Sequence, residues 1–318
     1  MNICVISFDF WQYDGHIVEV LRSKGITAHH INLGAYRHKN LQARVKNTIS
    51  KVFLGKNLKK HYRQELILDT LKKLGPQDQI LVINPEQIER KYHEIIKKYT
   101  DRYVAYLYDS LSRNPAEHVL DLFDKIFSFD KNDSARHGFQ LITNYNYLPE
   151  QQISAEADYD LVYLSSFDNR LALLYKITAR LKDLGRNYYY VIVGKKTWIK
   201  NLQLQGTTHS IYTRKRIKHE ELPGYYKKGR VILDLIRDHQ DGLSFRIFEA
   251  MALKKKVITN NKTIKDYDLY DANNILILED DLSNLTTDFF ESEYRELPRE
   301  IYKKYTLNHW VDVVFELK

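Results

Sequence analysis

Cysteine is nearly absent from these 318 residues: Cys4 stands alone. One thiol excludes an internal disulfide framework and a cysteine-rich zinc site. The β-like run around it suits a small buried hydrophobe. Long apolar stretches are missing too. The most apolar runs, 80–83 and 189–193, fall far short of the ~20 residues that span a bilayer. Residues Met1 to Ser7 lack the basic leader and long apolar core of a signal peptide. No low-complexity tract or short-period repeat appears, and no Gly-x-x-x-x-Gly-Lys string offers a P-loop. No His or carboxylate set has metal-ligand spacing, so the expectation is a protein that uses no metal and no cofactor. These absences predict a cytoplasmic protein in a reducing compartment.

Acidic residues are missing from one long stretch. Residues 20–64 hold 11 Lys and Arg and no Asp or Glu. The whole chain carries +8, so the remainder nets −3. The protein is a mildly acidic chain with one basic segment. Val45, Ile49, Val52, Phe53, Leu54 and Leu58 lie among the cations. Basic and apolar residues together suit an anionic membrane surface, so residues 37–63 are expected to attach the protein peripherally to the inner face of the cell membrane. Nucleic acid is the competing anion and the less favoured one, because no nucleic-acid motif appears.

What is present is alternation. Strand-like runs at 2–8, 26–33, 79–83, 103–108 and 125–129 are separated by helix-like periodicity. The pattern breaks over 144–158, then restarts with strands at 160–165, 188–193, 209–213, 230–235, 256–259 and 274–278. A final helix is expected over 298–315. Such alternation predicts α/β architecture with mostly parallel sheets covered on both faces. Hydrophobic residues make up 43% of the chain, enough for two cores. The expected division is 1–150, 151–297 and a C-terminal helix 298–318 packing back toward the first domain. In doubly wound sheets ligands bind beyond the carboxyl ends of the strands, so the cleft between the domains is the expected site.

The richest segment runs from Gln240 to Ala250, after one strand and into a helix. Gly242 permits a tight turn and close ligand approach. The amides of Leu243, Ser244 and Phe245 would then leave the helix N-terminus toward an anion. Ser244 adds a hydroxyl, and Arg246 a forked cation for phosphate oxygens. Glu249 is placed to bond a ribose diol. A plain N-cap ahead of a surface helix remains the alternative at this point.

Residues 242–261, Gly-Leu-Ser-Phe-Arg-Ile-Phe-Glu-Ala-Met-Ala-Leu-Lys-Lys-Lys-Val-Ile-Thr-Asn-Asn, resemble the donor-site segment of GT-B glycosyltransferases. The likeness is strongest to the group from capsule and lipopolysaccharide gene clusters, including CgeB-like proteins. Tyr108-Asp109-Ser110 and the run Phe123 to Asp130 look like further segments of that group. Tyr163 to Phe167 sits where its second domain meets a phosphate-side loop, which marks Ser166. The spacing Asp241-x7-Glu249 mimics the paired-acid motif of retaining members, with Asp where Glu is usual. The resemblance implies two Rossmann-type domains, a nucleotide-diphosphate sugar as donor substrate, and Asp241 near the sugar.

Three candidates lie outside that segment. Asp109, at a strand's carboxyl end, suits a general base for an acceptor hydroxyl, although a turn role fits it as well. His16 follows the first strand and titrates near neutral pH. Lys195, beside Lys196 after Gly194, suits neutralisation of a leaving diphosphate. The combined expectation is transfer of a sugar to a surface-glycan or lipid-linked saccharide. A sugar-nucleotide hydrolase or epimerase of the same fold, or a non-catalytic binding subunit, is the alternative.

Overall fold

Unbroken apolar runs become parallel strands buried on both faces. The structure, a computed structural model, describes residues 1–9, 12–36, 58–152, 157–194, 210–237 and 241–317. Lys195, and residues 37–57 of the basic segment, lie outside the described residues.

The chain divides into two units, Met1–Thr143 with Leu307–Lys318, and Asn144–Thr306. The first holds β1 (Asn2–Ser7), β2 (Thr27–Asn32), β3 (Gln77–Ile83), β4 (Thr100–Leu107), β5 (Lys125–Ser128) and β6 (Gln140–Leu141). Their spatial order is β2-β1-β3-β4-β5-β6, and every pairing is parallel. The order reverses between β1 and β3. Helix α1 (Asp14–Ser23) follows β1, α2 (Leu58–Leu74) precedes β3, and α3 (Arg90–Ile96) and α4 (Glu117–Leu120) flank β4. Helix α5 (Lys131–His137) is a helix that the periodicity missed. It is set by its ends: Asp130 accepts from the amides of Asn132 and Asp133 at 2.9 and 3.0 Å, and Gly138 closes it at φ 71°.

The second unit holds β7 (Tyr159–Ser166), β8 (Tyr188–Val193), β9 (Ser210–Thr213), β10 (Gly229–Asp234), β11 (Lys256–Thr259) and β12 (Ile275–Ile277). The order β12-β11-β10-β7-β8-β9 is also wholly parallel. Counted within this unit it is the Rossmann order 3-2-1-4-5-6, reversing between β7 and β10. Helices α6 (Leu171–Asp183), α7 (Leu222–Lys227), α8 (Phe245–Ala252) and α9 (Thr287–Glu291) complete most of it.

The units meet along the chain at 143/144 and 306/307, where the sequence suggested 150/151 and 297/298. Hydrogen bonds explain the shift. The stretch after Thr143 is tied to the second unit by Asn144 to the Leu243 carbonyl (3.0 Å) and Gln151 to the Ala252 carbonyl (2.9 Å). The single helix expected over 298–315 is two, α10 (Arg299–Lys304) and α11 (Leu307–Phe315). Between them the Tyr305 carbonyl accepts from the Asn146 amide at 2.7 Å. That bond helps hold α10 in the second unit. Helix α11 packs in the first unit: Lys24 pairs with Asp312 at 2.8 Å, and Gln79 donates to the Phe315 carbonyl at 2.9 Å.

Candidate active site

The candidate site begins at the reversal point of the second sheet. Gly194 lets β8 end close to β7, because a Cβ there would meet the Phe167 Cβ at 2.6 Å. Across the reversal, Asp234 ends β10 fully buried. Its carboxylate accepts from Ser244 Oγ (2.7 Å), Arg246 Nη1 (2.5 Å) and Thr259 Oγ1 (3.4 Å). Ser244 is the N-cap of α8, yet its side chain makes no capping bond. Its hydroxyl turns inward to Asp234 and leaves the helix end to other partners.

The loop ahead of α8 is held by its carbonyls. The oxygens of Asp241, Gly242 and Leu243 accept from Thr263 Oγ1 (2.6 Å), Asn261 Nδ2 (3.3 Å) and Asn144 Nδ2 (3.0 Å). In a trans peptide the C=O and the following N–H point in opposite directions. Anchoring three successive carbonyls therefore turns the amides of Gly242, Leu243 and Ser244 to the other side. Those amides meet no acceptor among the described residues. Buried amides ordinarily find partners, and three together at a helix N-terminus form an anion cradle.

Two arginines that the sequence reading missed stand nearby at the strand ends. Arg170, opening α6, grips Asp168 with two bonds of 2.9 and 2.7 Å and donates to the Leu235 carbonyl at 2.8 Å. Arg237 reaches the same Asp168 at 3.3 Å. Burial pushes the Asp168 carboxyl up, but the Arg170 bonds and both guanidinium charges outweigh this and hold it below its ordinary range. Two cations against one carboxylate leave a positive edge. The only signal in sequence was their position just after β7 and β10.

The expected residues are placed as follows. Gly242, Leu243 and Ser244 lie on the cradle, with Asp241 at its entrance and half-buried. Ser166 ends β7, half-buried, and its carbonyl accepts from Ser165 Oγ at 3.2 Å. Glu249 is 1% exposed, and its Oε1 accepts from Tyr147 Oη at 2.6 Å. Tyr226 also bonds Glu249, and its hydroxyl is pushed up first by burial and then by that negative charge. Arg246 departs most from expectation. Its guanidinium turns to Asp234 and lies 5.7 Å from the Tyr163 ring centre. Burial opposes its charge, but Asp234 and two tyrosines outweigh that and raise its pKa. Its charge is directed at Asp234 within the loop's support.

In the first unit, Asp109 follows β4 and is bonded by Arg113 (2.9 Å) and Asn114 (3.4 Å). Both features read from sequence are therefore present: a strand-end carboxylate and a turn. His16 lies on α1 with its Nδ1 2.9 Å from Glu19 Oε2. The buried group of that helix is its neighbour Asp14, 2% exposed. Its pKa is raised to about 7 by burial and by Asp9.

Residues 170–307 match a family model described as Glycosyl transferase-like. That match covers less than half of the chain, almost wholly within its second unit, and the two parallel six-stranded sheets are those of a GT-B architecture. No curated protein sequence matches it. Among solved structures, the apo lipopolysaccharide outer core galactosyltransferase WaaB aligns over 99% of both chains, at 12% identity and TM-score 0.58. An α-glucosyltransferase in complex with UDP and a mismatched 13-mer DNA aligns over 100% of this chain and 95% of that one, at 12% identity and TM-score 0.61. A UDP-GlcNAc 2-epimerase from Methanocaldococcus jannaschii aligns over 100% of both, at 12% identity and TM-score 0.55. At these identities the likeness concerns the fold.

Proposed function

We propose that the protein transfers a sugar from a nucleotide-diphosphate sugar to a hydroxyl of a saccharide acceptor, in the manner of the capsule and lipopolysaccharide group. The observation that carries this is three successive amides with no acceptor among the described residues at the N-terminus of α8, on the sheet edge that also bears Arg170 and Arg237. That edge lies at the carboxyl ends of β7 and β10, where doubly wound folds take nucleotides. UDP and UDP-sugars in the titles of similar structures make UDP the first nucleotide to try.

In this reading the amides of Gly242, Leu243 and Ser244 and the two arginines hold the diphosphate. Glu249 takes the ribose hydroxyls, and Asp241 lies toward the sugar. Phe245, flanked by Tyr145 and Tyr147 with ring centres 5.2 and 6.5 Å away, gives aromatic surface for a base or sugar ring. The bond from the anomeric carbon to the diphosphate oxygen breaks, and its electron pair stays on the diphosphate. The acceptor oxygen bonds the anomeric carbon, and its proton passes to a general base, the role proposed for Asp109. The amides and guanidiniums stabilise the leaving charge as it develops, and the reading includes no metal ion.

The acceptor is assigned to the first unit, where α2 exposes Tyr62 and Leu66 beside its basic start. Lipid-linked saccharide and peripheral membrane attachment belong to the same proposal. No helix among the described residues is long and apolar enough to cross a membrane.

Glu249→Ala tests the donor assignment. Wild-type protein in UDP-glucose or UDP-GlcNAc at ~100 times the dissociation constant should gain about 2.7 kcal/mol in thermal unfolding. The variant should lose most of that gain while keeping its unliganded circular dichroism. An equal gain in the variant removes Glu249 from the site. Product analysis with and without saccharide acceptor separates transfer from hydrolysis or epimerisation.

A further inference from the structure

Asp14 is a buried carboxyl that the reaction above leaves without a task. It opens α1 directly after the first strand's exit loop. Tyr108 Oη donates to its Oδ1 at 2.5 Å, and the Ser7 hydroxyl bonds it as well. Its own amide donates to Asp9 Oδ1 at 3.0 Å. Asp9 also accepts from Asn32 Nδ2 at 3.2 Å, and Ser7 Oγ pairs with His30 Nε2 at 2.9 Å. Three groups thus face this carboxyl: Ser7 from β1, Asp9 from the loop and Tyr108 from the exit of β4, while His30 and Asn32 of β2 bond Ser7 and Asp9 behind them. Arg22 of α1 acts on His30 in turn.

Tyr108 is the residue before Asp109. We propose that Asp14 is a positioning residue for Asp109: through Tyr108 it ties the exit of β4 to the first turn of α1 and sets the direction of the acceptor-side carboxylate. The inference rests on the transferase reading. A neutral side chain of the same shape would serve the fold equally and avoid burying a charge. What a carboxylate adds is a charge-assisted bond to Tyr108, about twice as strong as a neutral one. Burial first, and Asp9 second, raise the Asp14 pKa to about 7. The charge and the stronger bond therefore appear as pH rises through neutrality, and turnover rises with them.

The test follows UDP release from UDP-glucose, with water as acceptor, from pH 5.5 to 8.5. It compares wild type, Asp14→Asn and Tyr108→Phe, with UDP affinity measured alongside. Asp14→Asn keeps the shape but stays neutral. Expected are unchanged UDP affinity in all three, and kcat lowered about tenfold at pH 8 in both variants, one tenfold step being about 1.4 kcal/mol. The rise through pH 7 should persist only in wild type. A purely structural Asp14 would leave that rise in place. Wild-type kcat with a wild-type pH profile in Asp14→Asn, UDP affinity being intact, overturns the inference. Absence of UDP binding in wild type is a different failure: it overturns the donor reading, and this inference with it.

Discussion

Asp234→Ala should cost the second unit about 3–5 kcal/mol, the range found when one partner of a buried ion pair is removed. Asp234 is fully buried, the Arg246 side chain is 17% exposed, and the two are 2.5 Å apart. Truncation leaves the guanidinium without its carboxylate, 5.7 Å from the Tyr163 ring centre, and deprives Ser244 and Thr259 of their acceptor. Replacing both charges tells burial from pairing. Asp234→Ala with Arg246→Met should recover more than half the loss, since an apolar side chain in that space costs less than an unpaired cation. Urea unfolding followed by tryptophan and tyrosine fluorescence gives both values. An Asp234→Ala loss below about 1 kcal/mol would mean that the pair is solvated and does not brace the loop.

The second large effect is a pH dependence of stability. The folded pKa of Asp14 is about 7, against about 3.9 for an unfolded aspartate. The folded state therefore holds a proton that the unfolded state gives up between those values. Stability from this group is full below about pH 4, falls as pH rises toward 7, and is lost above it. Three pKa units correspond to about 4 kcal/mol as an upper limit. Groups such as Asp168, held below their ordinary range, work in the opposite sense, so the difference between wild type and Asp14→Asn isolates the effect. Asp14→Asn should become more stable relative to wild type by about 2–4 kcal/mol between pH 4 and pH 8. Parallel stability curves for the two proteins across that range would show that Asp14 ionises as an exposed carboxylate does.

Taken together, these effects make Asp14→Asn a variant that is more stable and less active at pH 8. That pairing is expected of a site that holds a buried charge for function.

Much of the architecture was legible because parallel sheets write themselves as buried runs. Val-Ile-Leu stretches such as Ile80–Ile83 and Val231–Leu233 are recognisable without a partner. The loop at 241–244 was legible through Gly242 and the helix behind it. Side-chain direction was not. Arg246 looked like a phosphate ligand, because nothing local says that a buried Asp234, 12 residues earlier, will claim it. Arg170 and Arg237 were passed over because their role depends on β7 and β10 being neighbours, a pairing 65 residues apart. Asp14 was passed over in favour of His16, two residues further on. Only the return of β4 brings Tyr108 to it, from 94 residues away. The helix expected over 298–315 failed for the same reason, since the bond that draws off the Tyr305 carbonyl comes from Asn146.

The central claim is that the amides of Gly242, Leu243 and Ser244 receive a nucleotide diphosphate. Backbone amide chemical shifts of 15N-labelled protein, followed through a titration with UDP, test it directly. The account predicts saturable binding, with the largest shifts at those three amides and weaker shifts with inorganic phosphate. Saturable UDP binding that leaves all three unmoved, or no binding of UDP or any UDP-sugar, would contradict it.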